Sequence, residues 1–286
     1  MCPNLLTAIK NISDFRTNDL RDYFATYAIR INAVGQQLEY YVKDAICGSF
    51  KSAKNEEELA HCEGVFSYLG NQNNPPDLII RGGDAFEVKK IQSFKASLAL
   101  NNSPPKDRLS CNDPRITKHC RNVDGGQWSS KEIFYAIGWV QKGKIKYLYF
   151  VQGCCYAAEK EIYERKAVGL KRNIENYFNS EGLEATKTKE LGRINRMDPL
   201  GITNFRIRGM WEIENPIRVF SYIYNYNPKR DFSLVALMLK TKFDSFPKED
   251  IDAIVSDNQI KIRDVKIKNP NNPAEMIDAK LITLSW

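Results

Sequence analysis

The stretch Pro76-Asp77-Leu78-Ile79-Ile80-Arg81-Gly82-Gly83-Asp84-Ala85-Phe86-Glu87-Val88-Lys89 decides how this chain is read. Two strand-like runs, 77–81 and 84–90, flank Gly82-Gly83, which is a hairpin signal. Side chains alternate along a strand, so Glu87 and Lys89 share a face. A two-residue turn at Gly82-Gly83 would set Leu78 opposite Glu87 and send Asp77 to the other face. A three-residue loop centred on Gly83 instead pairs Ile79 with Glu87 and Asp77 with Lys89. All three polar groups then converge, while Leu78, Ile80, Phe86 and Val88 form an apolar face for a core. The stretch therefore predicts the odd-length loop or an equivalent bulge, for which adjacent glycines are suited.

Two carboxylates meeting on a sheet edge are costly unless a cation neutralises them, and hard oxygen ligands select Mg²⁺ or Mn²⁺. Lys89 beside such an ion can orient a water for attack on phosphorus and stabilise the charge that builds on phosphate oxygens. That is the chemistry of phosphodiester hydrolysis. A solvated strand carries the same residue types, however, and with a floating gap the pattern arises by chance in roughly one chain in ten. The surrounding sequence has to decide.

Outward from the hairpin, Val34, Leu38, Tyr41, Val42, Ala45 and Ile46 fall at helical spacing, with Gly48 as the stop. Residues 65–69 read as a short strand and 70–76 as a turn-rich loop. The tandem prolines at Pro104-Pro105 make 101–106 a loop. Residues 114–121 suit a short helix behind an Asp113 N-cap. Runs 133–140 and 145–151, split by Lys142-Gly143, form a second hairpin. Further on, 157–178 reads as helix, and 202–213 and 232–239 as strands. Helices and strands mix throughout, so the fold class is mixed α/β. Neither a repeat nor a linker divides the chain, which predicts a single domain over 1–286.

The chain has 286 residues, of which 43% are hydrophobic and 27% charged, a composition that rules out disorder and suits a globular core. Its longest apolar runs fall far short of the ~20 residues that span a bilayer. The start, Met1-Cys2-Pro3-Asn4, lacks a basic, apolar signal, so the expected compartment is the cytoplasm, with no membrane partner. Seven cysteines at irregular spacings read as reduced thiols. His61-Cys62 and His119-Cys120 lack the paired spacing of a zinc site.

Pro76-Asp77 with Glu87-Val88-Lys89 resembles the PD-(D/E)xK nuclease signature, and the preceding helix with three short strands looks like that superfamily's αβββαβ core. Longer blocks resemble the NgoPII family of type II restriction endonucleases: Phe66 to Asn71 leading into Asn74 to Asp77, Gly83 to Ile91, Leu98 to Asn101, and Cys155 to Glu164. So do Lys189 to Arg193, Arg206 to Trp211, and Ile267 to Met276, so the resemblance runs from about Val34 onward. It implies a restriction-endonuclease-like core, a central mixed sheet flanked by helices, with family-specific insertions. The catalytic core would occupy about 33–152, and 153–286 would add recognition and dimerisation elements. It further implies a homodimer that cuts double-stranded DNA at GGCC between the inner G and C, leaving blunt ends, with Mg²⁺ as cofactor. A methyltransferase sharing the target would protect the host. Asp77 and Glu87 would be metal ligands and Lys89 the catalytic lysine. Glu39, on the preceding helix, sits where many superfamily members place another carboxylate, with a solvent-facing glutamate as the alternative.

Charge placement supports DNA independently of the resemblance. The chain carries 42 Lys and Arg against 35 Asp and Glu, a net of +7. Residues 81–121 hold nine Lys and Arg against four acids, a net of +5, and 187–208 hold six against two, a net of +4. The remainder is therefore slightly acidic, the distribution expected of a duplex-binding cleft. Arg206 and Arg208 alternate with Phe205 and Ile207, which puts both guanidinium groups on one face as candidate readers of guanine O6 and N7. Asn101, Asn102, Ser103 and Lys106 form a loop able to reach phosphates or bases, and Lys90, Arg115 and Lys118 are candidate backbone contacts. Tyr222, Tyr224 and Tyr226 suit an aromatic core better than a dimer interface. Two rival functions remain: a repair or junction-resolving nuclease of the same core, and a DNA-binding protein that kept the fold without the activity.

Overall fold

The computed structural model describes residues 3–21, 34–50, 61–62, 64–71, 74–91 and 93–286. The first helix, Leu5–Phe15, was not expected, yet its cause is local. The Asn4 side chain accepts from the N–H groups of Leu6 and Thr7, the Thr7 hydroxyl accepts from the Asn4 N–H, and Leu5, Leu6, Ala8, Ile9 and Ile12 bury one stripe. The second described helix, Val34–Cys47, buries the expected Leu38, Tyr41, Val42, Ala45 and Ile46. Gly48 follows at φ +71°, the left-handed conformation that ends helices.

Strands β1 (Phe66–Asn71), β2 (Asn74–Ile80), β3 (Ala85–Ile91), β4 (Leu98–Asn101), β5 (Arg108–Ser110), β6 (Ser130–Gln141) and β7 (Lys144–Gln152) come next. After the long helix Lys160–Ser180 follow β8 (Gly192–Ile194), β9 (Phe205–Ile207), β10 (Trp211–Ile213), β11 (Ser233–Leu239), β12 (Lys261–Lys268) and β13 (Met276–Ser285). Among the described residues the central sheet runs β1-β2-β3-β6-β7-β11-β13-β12, with β5 added beside β6. The pairs β3–β6 and β7–β11 are parallel and the others antiparallel, which makes the sheet mixed. This is the α/β architecture of a restriction-endonuclease-like fold. The sheet draws strands from both sides of Gln152, so the strands that carry Asp77, Glu87 and Lys89 share it with β11, β12 and β13. Two small ladders, β10 with β4 and β8 with β9, stand apart.

Both faces of the sheet are covered. Leu78, Ile80, Phe86, Val88, Phe134 and Phe150 pack beneath the two N-terminal helices and the Lys248–Val255 helix. Tyr135, Ile137, Tyr147 and Tyr149 pack on the opposite face against Leu98, Leu100, Tyr156 and Phe220. Burying each large apolar side chain contributes about 1.5–3 kcal/mol, so a one-residue slip that exposed Leu78, Ile80 and Phe86 together would be prohibitive. Apolar burial thereby dictates which face receives Asp77, Glu87 and Lys89.

Several local expectations are corrected. Residues 74–76 join β2 instead of the preceding loop. The helix expected over 114–121 shrinks to Lys118–Arg121, capped by Thr117, whose hydroxyl accepts the Cys120 N–H at 3.0 Å; Asp113 is engaged elsewhere. The strand expected over 202–213 divides into β9 and β10, which pair with different partners. Cys47 and Cys62 form a disulfide with Cα atoms 5.5 Å apart, so the reading of all cysteines as thiols fails for this pair. The end of the Val34–Cys47 helix and the helical turn at 61–62 bring the two sulfurs together, a contact their spacing does not announce. Tyr224 and Tyr226 pack against the second core face, with Tyr226 4.7 Å from the Phe94 ring. Among the described residues no helix is long and apolar enough to cross a membrane.

Candidate active site

The β2–β3 ladder pairs Leu78 with Phe86 and Ile79 with Ala85, and the Ile80 N–H donates to the Asp84 carbonyl at 3.0 Å. The loop is therefore Arg81-Gly82-Gly83, odd in length as expected but centred on Gly82 instead of Gly83. The Gly83 N–H donates to the Ile80 carbonyl at 2.9 Å, and Gly82 takes the third position of that turn at φ +66°, where any side chain would be strained. Odd length keeps Asp77, Glu87 and Lys89 on one face. The shifted centre brings Asp77 level with Glu87 instead of Lys89.

One step further along this register, Pro76 would face Val88, but Pro76 has no N–H to give. The regular ladder ends there, and the Asp77 carboxylate accepts the Val88 N–H at 2.6 Å. The Asp77 carboxylate thus takes the donor that a continued ladder would have turned to the Pro76 carbonyl. Lys89 Nζ reaches Glu87 Oε1 at 2.6 Å, while Glu87 Oε2 is buried with no hydrogen-bond partner.

The electrostatics follow from this crowding. Burial, and after it the Glu87 charge, hold the Asp77 carboxyl well above its ordinary value, with Lys89 and the Val88 N–H opposing. Burial alone would pull the Lys89 ammonium down, yet Glu87, Asp77 and Glu39 together hold it above its ordinary value. Glu39 is likewise raised by burial, against the pull of Lys43 and Lys89, and it feels Glu87. The helix carboxylate is therefore coupled electrostatically to the site. Lys43, one turn on from Glu39, is a cation of the same site that the sequence reading missed. Its ammonium is lowered by burial while Glu39 and Asp77 favour its charge, and it stands 5.0 Å from the Tyr40 ring centroid. The i, i+4 spacing from Glu39 was the available signal.

A divalent ion fits these donors. Glu87 Oε2, which has no hydrogen-bond partner, and the buried Asp77 carboxyl group are hard oxygen donors. Among the described residues no three or more His, Cys, Asp or Glu side chains cluster as a metal cage. Two carboxylates, with solvent or substrate oxygens completing the shell, are the donor set that suits Mg²⁺.

Asp77, Glu87 and Lys89 line a 280 Å³ cleft together with Asn74, Pro75, Leu100, Asn101, Asn102, Ser103 and Arg115. Four of the nine candidate DNA contacts thus share the cleft with the acidic pair. Asn101 and Asn102 are exposed on its rim, and Arg115 Nε donates to the Asn102 carbonyl at 3.2 Å. Lys106 points elsewhere: it is buried at 8% exposure, and its ammonium is hydrogen-bonded and ion-paired to Asp113. The Tyr135 hydroxyl accepts the Lys106 N–H at 2.6 Å, which seats that turn on β6. Lys90 sits half-buried on β3, alternating with Lys89, and Lys118 is exposed at the start of its helical turn.

Arg206 and Arg208 lie on the β8–β9 arm, and both converge on Glu190, a partner the sequence reading did not single out. Just beyond them, β10 pairs with β4, with Trp211 opposite Asn101, which ties this arm to the cleft wall.

Known proteins similar to this chain are restriction endonucleases. The sequence model of the NgoPII restriction endonuclease family matches residues 3–268. A curated relative, the type II restriction enzyme NgoPII of Neisseria gonorrhoeae, is 47% identical over 255 residues, which cover 89% of this chain and 90% of the relative. No solved structure matches.

Proposed function

The chain belongs to the NgoPII restriction endonuclease family and is a type II site-specific deoxyribonuclease, and from that premise we propose that it cuts duplex DNA at GGCC, between the inner G and C, to leave blunt ends. One observation carries the catalytic assignment: Asp77, Glu87 and Lys89 meet on the floor of a cleft rimmed by Asn101, Asn102 and Arg115.

In this reading Asp77 and Glu87 would hold Mg²⁺, or Mn²⁺ in its place, and the chemistry such an ion would supply there is Lewis acidity toward a water and the phosphate. The Val88 N–H fixes Asp77, so that carboxylate needs no reorganisation when substrate arrives. Lys89 remains a cation among its carboxylates and acts as a donor, orienting the attacking water and stabilising charge on the phosphate oxygens. Glu39 and Lys43 set the local field behind them. Arg115 holds a phosphate at the rim, and Arg206 and Arg208 read guanine. A palindrome has two-fold symmetry, so a homodimer supplies one site per strand. The enzyme would work in the cytoplasm, with a methyltransferase protecting the same sites in host DNA.

The test incubates the protein with unmethylated plasmid and Mg²⁺ and maps the ends. Discrete blunt fragments ending in GG and CC are expected. Nicking that follows DNA structure instead of sequence, or tight binding without cutting, would overturn the proposal.

A further inference from the structure

We propose that Glu190 is a positioning residue for sequence recognition, bracing Arg206 and Arg208 so that their free edges present together to adjacent guanines. The inference rests on the reading of those two arginines as guanine contacts. Arg206 donates from Nε to Glu190 Oε2 at 2.7 Å and from Nη2 to Oε1 at 2.6 Å, and Arg208 donates from Nε to the same Oε1 at 2.7 Å. One carboxylate thus orients two guanidinium planes.

The carboxylate lies beneath the cations. Its side chain is 17% exposed, against 46% for Arg206 and 52% for Arg208. Its backbone is anchored as well: the Glu190 N–H donates to the Thr188 hydroxyl at 3.1 Å, and the Leu191 N–H donates to the Ile207 carbonyl at 3.0 Å. The β8–β9 ladder, with Gly192 opposite Ile207 and Arg193 opposite Arg206, fixes the spacing between acid and bases.

A guanidinium has two edges that can donate in parallel. Glu190 occupies the Nε side of both arginines, and among the described residues the remaining N–H groups have no protein partner. What remains free is the end-on edge, which matches guanine O6 and N7. Residues two apart on a strand stand roughly 7 Å apart, whereas stacked bases on one strand are about 3.4 Å apart. Sharing a single oxygen draws the two guanidinium groups toward each other, in the direction a GG step requires. Bracing before binding also lowers the ordering cost of two long side chains. An isolated exposed ion pair would contribute little, but here three hydrogen bonds converge on one largely covered carboxylate.

The experiment measures equilibrium binding with Ca²⁺ to a GGCC duplex and to a duplex with one G·C pair inverted. In Glu190→Gln the preference for GGCC is expected to fall roughly tenfold or more, with affinity for the inverted duplex and the thermal midpoint nearly unchanged. Glu190→Asp keeps the charge but shortens the reach, and it should lose preference too. In the Arg206→Ala/Arg208→Ala background, adding Glu190→Gln should change nothing further. Equal shifts on both duplexes, full preference in the Asp variant, or an undiminished effect in the arginine-less background would each overturn the positioning role. If the arginine-less protein itself keeps its preference, the guanine-reading assignment fails first, a signature distinct from the other three.

Discussion

At the residue scale, Asp77 shows a functional group held at a cost to the fold. Its carboxyl is raised, by burial first and Glu87 second, so the folded, metal-free protein binds that proton more tightly than the unfolded chain does. The stability it contributes is present below the ordinary carboxylate value and is lost as pH rises through the folded one. Asp77→Asn should therefore abolish cleavage yet raise the metal-free midpoint at pH 7 by a few degrees, on the order of 0.5–2 kcal/mol, and remove the gain in midpoint that Mg²⁺ confers. Thermal scans with and without Mg²⁺ check this; an unchanged Mg²⁺ gain would remove Asp77 from the ligand set. Asp113 has the opposite sign. Burial pushes it up, but the Lys106 charge and hydrogen bond and the Arg115 N–H overcome that and hold it below its ordinary value. Its contribution is present at neutral pH and lost as pH falls through the lowered value. Asp113→Asn strands a buried ammonium and should cost about 3–5 kcal/mol in urea denaturation, while replacing both partners by apolar residues should recover most of it. This pair explains why Lys106 was misread from sequence. A lysine beside two prolines suggests a solvated loop, and only the Tyr135 hydroxyl and the Asp113 carboxylate, brought in by the fold, bury it.

At the scale of elements, the β2–β3 hairpin was legible in its faces and not in its centre. Alternation with Leu78, Ile80, Phe86 and Val88 settles which side chains go inward, because a slip would expose them all. The centre depends on which of two neighbouring glycines takes the positive φ, and both can. The β4–β10 ladder lay beyond reach for another reason: Asn101 and Trp211 are far apart in sequence, and neither short strand carries a period long enough to announce its partner. The approach of β1 to β2 is likewise visible only in three dimensions. A Cβ on Gly70 would lie 2.3 Å from the Pro76 carbonyl oxygen and 3.1 Å from the Asp77 Cα, all backbone that cannot swing aside. Gly70→Ala must displace β2 at the position that sets Asp77, and misplacing a catalytic group by about 1 Å can cost a hundredfold. Single-turnover cleavage should fall at least tenfold, with GGCC binding in Ca²⁺ within threefold of the parent. Comparable losses in both would mean that the strand carries binding instead of geometry.

At the scale of the whole molecule, the sequence predicts one domain over 1–286, and the family resemblance implies a core over about 33–152 with recognition and dimerisation elements over 153–286 on the same unit. The sheet runs through that boundary. β7 ends at Gln152 and pairs in parallel with β11, with Tyr147 opposite Ser233 and Val151 opposite Leu237, and β13 closes on β11 in turn. Composition could not reveal this, because a parallel pairing across some 80 residues of chain leaves no local trace. A chain ending at Gln152 would open the β7 edge along its length and strip Val235, Leu237, Ala279 and Leu281 from the core around Tyr147, Tyr149 and Val151. At about 1.5–3 kcal/mol for each large apolar group uncovered, Tyr147, Tyr149 and Val151 alone lose about 4.5–9 kcal/mol, comparable to the roughly 5–15 kcal/mol by which domains are stable. Residues 1–152 alone should show no cooperative thermal transition by circular dichroism and no slow-exchanging amides in β3 or β6, although they carry Asp77, Glu87 and Lys89. A cooperative transition in that fragment, accompanied by a midpoint that rises with Mg²⁺, would show instead that the β2–β3 hairpin is held by the first half of the sheet alone.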